Sequence, residues 1–89
     1  MFRIPSLATL YILQSKTTQR FYIGSTNDVA RRMDEHQRGH SLATRGRGPW
    51  ELVYQEYFES LVDARRRELE IKRWKSAKLI TALITAKIG

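Results

Sequence analysis

Cysteine is absent from this chain. That excludes disulfide staples, zinc knuckles and thiol nucleophiles, and leaves stability to packing alone. Long apolar runs are missing too: no stretch approaches the ~18 residues of a membrane span. The start, Met1-Phe2-Arg3-Ile4-Pro5-Ser6, lacks the apolar core of a secretory signal. An intracellular, cytoplasmic protein with no membrane partner is therefore expected, nucleoid-associated in a bacterium. Internal repeats and low-complexity linkers are absent as well. Acidic residues are scarce: 9 Asp and Glu stand against 16 Lys and Arg, a net charge of +7. Such an excess makes a polyanion the default partner, with nucleic acid ahead of an acidic membrane face. Ribosomal and chromatin-type proteins without catalysis share that charge.

What is present suits one small domain. A chain of 89 residues has no room for a second core and buries roughly 60–65% of its unfolded surface. The β-branched and aromatic runs at 8–14 and 20–25, separated by Ser15-Lys16-Thr17-Thr18-Gln19, read as a β-hairpin. Both runs are nearly continuously apolar, which predicts strands covered on both faces. Asn27 offers a helix N-cap with Asp28 in the first turn, and that helix should run to about Arg38 and stop at Gly39. A basic loop over 39–49, a third strand over 50–58, a helix over 61–74 and a last helix from about Ser76 towards Ala86 complete the order β-β-α-β-α-α. The expected fold class is α/β, a small three-stranded, mainly antiparallel sheet flanked by helices, as one domain over 1–89 with its core at about 8–79.

Placement of the polar residues narrows the chemistry. On the first helix Val29, Ala30 and Met33 make a narrow apolar stripe, and Arg32 and His36 share one shoulder of it. An i,i+4 ion pair of Arg32 with Asp28 would account for the arginine without any function. On the second helix the apolar arc is Leu61, Val62, Ala64, Leu69 and Ile71, and Glu68 falls near its middle with Arg65 and Lys72 beside it. Asp63, Arg66, Arg67, Glu70 and Arg73 take the solvated face. A carboxylate on a packed side is costly unless paired or bound to a cation. Two explanations stay open for Glu68: a structural ion cluster with Arg65 and Lys72, or a metal ligand in a cleft. Tyr11 and Tyr22 lie one on each hairpin strand, where partners share a sheet face. Gly24 leaves a bare patch beside Tyr22 where a backbone or ligand approaches closely. Strand aromatics also serve as plain core.

Tyr11, then Tyr22-Ile23-Gly24, then Arg32 and His36 on a helix, then Glu68 on a later helix: this order resembles the GIY-YIG endonuclease domain. Tyr22-Ile23-Gly24-Ser25-Thr26 is the intact second half of its signature. The stretch from Asn27 to His36 is similar to the family's Arg- and His-bearing helix. Thr44-Arg45-Gly46-Arg47-Gly48-Pro49-Trp50 and Ala64-Arg65-Arg66-Arg67-Glu68 resemble later blocks of its small stand-alone and structure-specific members. The likeness spans roughly residues 8 to 79. It departs at Thr9-Leu10-Tyr11, where only the tyrosine of the first signature survives. It departs again in the Asn that several family nucleases carry after the metal-binding Glu, since Asn27 is the one asparagine here.

The resemblance implies a metal-dependent endonuclease that hydrolyses DNA phosphodiester bonds with little sequence specificity, with branched or damaged DNA as candidate substrates. Under it, Glu68 is the ligand of a single Mg²⁺ (or Mn²⁺), Arg32 braces the scissile phosphate, Tyr11 and Tyr22 orient or deprotonate the water, and His36 carries the proton onwards. Lys16, Arg20, Arg45 and Arg47 are expected to neutralise phosphates beside the cut. Thr44 is a further candidate for touching DNA, and Trp50 is expected to pack under the loop. Arg66 and Arg67 are expected to act as solubility charges first. The competing reading is a weakly active or inactive nucleic-acid-binding module. A third makes the chain a partner-recruiting subunit that docks through Leu79, Ile80, Leu83 and Ile84. A monomer or weak dimer is expected, with a separate protein partner supplying targeting.

Overall fold

Alternation and its one interruption decide how this sheet is covered. The computed structural model describes residues 7–88; the first six residues and Gly89 lie outside it. The elements are β1 (Ala8–Ser15), β2 (Phe21–Thr26), α1 (Val29–Gln37), β3 (Trp50–Phe58), α2 (Leu61–Trp74) and α3 (Ala77–Ile88). The sheet order is β2-β1-β3 and both pairings are antiparallel. This is an α/β fold in the expected order.

β1 is the central strand and is buried on both faces, as its unbroken apolar run demands. β2 is an edge strand, and Phe21, Tyr22 and Ser25 are only half-buried. Two-sided coverage thus holds for β1 and fails for β2. Strand β3 carries a bulge: Ile12 pairs with Tyr54 but Leu13 pairs with Leu52, leaving Val53 as an extra residue. The bulge reverses the phase of the strand. Trp50 and Leu52 join Tyr11, Leu13, Tyr22 and Met33 on the α1 face. Tyr54 and Phe58 join Leu10, Ile12, Ile23, Ile71 and Ile80 on the α2 face.

The helices start and stop for local reasons. Thr26 Oγ1 accepts the Asp28 N–H at 3.0 Å, and the Asp28 carboxylate accepts the Arg31 N–H at 3.0 Å. Asp28, not Asn27, is therefore the N-cap of α1. The helix ends where expected, with Gly39 at φ +75°. Ser60 caps α2 through the Asp63 N–H, and Ser76 caps the start of α3 through the Leu79 N–H. In α3, Ile80 is buried and Leu83 and Ile84 pack on the larger core, so that stripe closes the fold and only Leu79 stays outside.

Helix α2 corrects the helical-wheel reading of its sequence in two respects. Ala64 and Ile71 are fully buried, whereas Val62 and Leu69 are 64% and 54% exposed. The buried stripe runs Ala64, Arg67, Glu68, Ile71, Trp74, at the i, i+3, i+4 spacing of one face. Two charged residues sit inside it. Arg67, expected on the solvated face, forks onto Glu56 with Nε and Nη2 at 3.1 Å. It also pairs with Glu70 and stacks over the Trp74 ring. Tyr54 donates to the same Glu56, and burial together with that carboxylate pushes its phenol up to about 12. Arg67 is a structural group.

Arg67→Met should therefore lower the unfolding free energy in urea by about 1–2 kcal/mol, because it strands a half-buried Glu56. Arg66→Ala, on the exposed side, should move it by less than about 0.5 kcal/mol. Equal small losses would return Arg67 to the solvated face.

Candidate active site

Register places the two tyrosines together. Tyr11 pairs with Gly24 and Leu13 with Tyr22, so Tyr11 and Tyr22 are diagonal neighbours on the α1 face, ring centroids 6.3 Å apart. A Cβ at Gly24 would lie 2.5 Å from Cζ and Oη of Tyr11. The ring of Tyr11 crosses the bare backbone there, so the patch expected beside Tyr22 is filled by the other tyrosine. Gly24 is what lets the Tyr11 hydroxyl reach towards the β2 edge.

His36 meets it from above. It is the one fully buried side chain of α1, at 1% exposure. Val29 and Met33 are only half-buried and Ala30 is exposed. The histidine stands at the centre of the packed face, not on its shoulder. Its Nε2 lies 2.9 Å from Tyr11 Oη and its Nδ1 lies 3.0 Å from Thr44 Oγ1. Tyr22 packs edge-on at 4.7 Å between centroids, with Trp50 behind it.

Electrostatics keeps both partners neutral. Burial raises the Tyr11 phenol above its ordinary value near 10, the Arg32 guanidinium beside its oxygen opposes this, and the charges of Tyr22 and Glu68 add to the rise. Burial lowers His36 below its ordinary 6.5, the positive charge of Arg32 adds to that, and Glu35 offsets part of it. Arg32 itself pairs with Glu35 at 3.4 Å, not with Asp28, whose carboxylate caps the helix.

Glu68 arrives from the other side of the sheet. Ser25, on the α2 face of β2, donates to Glu68 Oε1 at 2.6 Å, and Lys72 pairs with Oε2. Arg65 is exposed and takes no part in that pair, which corrects one member of the expected ion cluster. The candidate site thus wraps the β2 edge, with Tyr11, Tyr22, Arg32 and His36 on one side and Glu68 on the other. A depression of about 400 Å³ lies elsewhere on α2, between Leu69 and Trp74. A smaller one of about 180 Å³ adjoins Glu68, Arg65 and Leu69. Among the described residues no three His, Asp or Glu side chains converge. A lone hard carboxylate fits Mg²⁺ or Mn²⁺, which keeps several waters, and does not fit zinc.

Lys16, Arg20, Arg45 and Arg47 are exposed at the end of the sheet beyond this cluster. Ser15, fully buried, donates to the Arg47 carbonyl, as does Thr17. These bonds lash the hairpin turn and the 39–49 loop together. Trp50 packs under the loop as expected, its indole N–H on the Thr44 carbonyl at 3.0 Å. Thr44 is 1% exposed, so it faces His36 and not a ligand in solvent. Sequence reasoning missed Thr44 and Ser25 as partners of His36 and Glu68, because neither shares an element with the group it holds.

The model of the GIY-YIG catalytic domain matches residues 7–80. The chain belongs to the GIY-YIG family. Membership places it in a nuclease family and implies a nucleic-acid substrate. It is 43% identical to a UPF0213 protein of Clostridium perfringens over 65 residues, 72% of this chain and 69% of that one. It is 44% identical to a UPF0213 protein of Natronomonas pharaonis over 70 residues, 78% of this chain and 81% of the other. The solution NMR structure of a UPF0213 protein from Bacillus halodurans shares the fold at TM-score 0.58 and 38% identity, covering 91% of this chain and 85% of that one. Among the described residues no helix is long and apolar enough to cross a membrane.

Gly24→Ala should force the Tyr11 ring aside and cost about 1–3 kcal/mol of stability in denaturant, with the Tyr11 ring resonances displaced in NMR spectra. Unchanged resonances would show that the ring does not cross the glycine. For His36, the folded pKa lies below the unfolded value of about 6.5, so the unfolded chain takes up a proton that the folded one refuses. Stability present above pH 6.5 should be lost as pH falls towards the folded value, and the His36 ring should titrate below 6.5 by NMR. A titration above 6.5 would overturn the assignment.

Proposed function

We propose that this GIY-YIG protein is a metal-dependent endonuclease that hydrolyses DNA phosphodiester bonds, with little sequence specificity and a preference set by DNA structure. The observation that carries the reading is the buried Tyr11–His36 hydrogen bond, since simple phosphate binding has no use for a phenol seated on a neutral imidazole. With its pKa raised, Tyr11 holds almost no phenolate at neutral pH. It acts as a base only by passing its own proton to His36 Nε2 while its oxygen takes a proton from the attacking water. Arg32, permanently charged, braces the phosphate and stabilises negative charge gathering on Tyr11 and on the phosphoryl oxygens. Tyr22 orients His36 through its ring edge and holds the water's side of the pocket.

Glu68 would hold the Mg²⁺ or Mn²⁺, with Ser25 fixing one carboxylate oxygen and Lys72 giving way from the other. Bound there, the ion supplies charge neutralisation on the phosphoryl group and the leaving oxygen. Lys16, Arg20, Arg45 and Arg47 add salt-dependent phosphate contacts. We further propose that the whole chain acts as a single domain in the cytoplasm and draws its targeting from a separate protein. The Lys72–Glu68 pair favours a second reading, in which the carboxylate is structural and the fold serves as a nucleic-acid binder.

The experiment is cleavage of labelled supercoiled, flapped and four-way-junction DNA with Mg²⁺ or Mn²⁺, wild type beside variants purified identically. Glu68→Ala should lower metal-dependent cleavage about 100-fold or more while losing only about 1 kcal/mol of stability. Arg32→Ala should depress turnover about 100-fold with less than about tenfold loss of DNA affinity. Tight binding without cleavage by wild type, or Glu68→Ala activity that tracks only its folded fraction, would establish the second reading.

A further inference from the structure

We propose that Thr44 is a positioning residue that fixes the tautomer of His36, so that Nε2 is bare and faces the Tyr11 hydroxyl. The catalytic part of this rests on the reading of His36 as a proton acceptor; the tautomer part does not. A neutral imidazole offers one donor and one acceptor. Both His36 nitrogens are engaged, Nε2 with Tyr11 Oη at 2.9 Å and Nδ1 with Thr44 Oγ1 at 3.0 Å. Two directions of bonding fit those distances.

In the first, His36 Nδ1–H donates to Thr44 Oγ1, the Thr44 hydroxyl donates to the Ser41 carbonyl at 3.4 Å, and Tyr11 donates to Nε2. In the second, His36 Nε2–H donates to Tyr11 Oη and the Thr44 hydroxyl turns from the Ser41 carbonyl to donate to Nδ1. The Tyr11 hydroxyl hydrogen then has no acceptor among the described residues, inside a side chain that is 1% exposed. Leaving a buried donor unpaired is the costlier arrangement. The Arg32 guanidinium beside the Tyr11 oxygen is a donor only, so it offers the Tyr11 hydroxyl hydrogen no acceptor. The first direction is the one the site supports.

Thr44 is itself held from three sides. Its N–H reaches the Ser41 carbonyl at 3.2 Å, and its carbonyl accepts the Trp50 indole at 3.0 Å. The Trp50 backbone is gripped at both N–H and carbonyl by the Gln37 amide, at 3.0 and 2.7 Å. Gln37 is the residue after His36, so the threonine is clamped to the same helical turn that it orients. The ionisable groups facing His36 are Arg32 and Glu35 from α1, Tyr11 from β1 and Tyr22 from β2. None of them reaches Nδ1 with a hydrogen bond, so Thr44 is the Nδ1 partner that holds the tautomer the Tyr11 donation requires.

The test is the His36 tautomer, read by long-range ¹⁵N–¹H NMR of the imidazole at pH 7.5, in wild type, Thr44→Ser and Thr44→Val. Wild type and Thr44→Ser should carry the proton on Nδ1, and Thr44→Val should move to Nε2–H or a mixture. On the DNA substrate that wild type cleaves, Thr44→Val should lower kcat roughly 10- to 100-fold with KM within about twofold, and Thr44→Ser should restore it to within about threefold. Added to His36→Ala, Thr44→Val should cost little more. Wild type carrying its proton on Nε2, measured without any variant, would overturn the proposal, as would a folded Thr44→Val that keeps Nδ1–H. Failure of the underlying reading has a separate signature: His36→Ala cleaving as fast as wild type, while wild type itself carries the Nδ1–H tautomer, removes both residues from the reaction.

Discussion

A phenol hydrogen-bonded to an imidazole across a glycine is the constraint on which the rest of this molecule depends. For Tyr11 to reach His36, its ring has to lie flat against the neighbouring strand, and only a residue without a Cβ permits that at position 24. The strand carrying Tyr11 has to be central, so that burial on both faces holds the ring still. The helix carrying His36 has to dip its last turn onto the sheet, which it does with the histidine as its deepest side chain. Taking a tyrosine and a histidine out of water then raises one pKa and lowers the other. The pair therefore holds no charge at rest.

The site lies at the β2 edge because the fold needs both faces of the sheet to build it. One face supplies the tyrosines, Arg32 and His36; the other supplies Glu68. The bulge at Val53 is what allows β3 to serve both cores, giving Trp50 to the α1 side and Tyr54 to the α2 side. Without that phase change the aromatic residues of β3 would crowd one face and starve the other. Trp50 then roofs Tyr22 and anchors Thr44, so a packing irregularity on the strand beside Tyr11 shapes the loop above both tyrosines.

The positive charges divide into two populations. Arg67 is consumed by Glu56, Glu70 and Trp74 and belongs to the framework. Arg38 and Arg66 answer acidic neighbours along their own helices, pairs of little energetic weight at such exposure. Lys16, Arg20, Arg45 and Arg47 have no carboxylate partner among the described residues, and the Ser15 and Thr17 bonds tie the hairpin turn to the loop that carries two of them. Unpaired cations of this kind attract a polyanion such as nucleic acid without drawing on the Tyr11–His36 pair.

The order of elements, the fold class and the identity of the five candidate residues were legible in the chain alone. Apolar runs, caps and glycines act locally, and the spacing of Tyr11, Tyr22, Arg32, His36 and Glu68 carries the family resemblance. The wheel also placed Glu68 on the packed side correctly. What it misassigned were Arg67, Val62 and Leu69, since a helix's buried stripe is set by where its neighbours sit and not by where its own hydrophobic residues cluster. The depth of His36, the filling of the Gly24 patch, the Ser25 bond to Glu68 and the Thr44 bond to His36 were decided by tertiary structure. Each joins residues from different elements, through contacts a few ångströms long whose partners no sequence interval specifies.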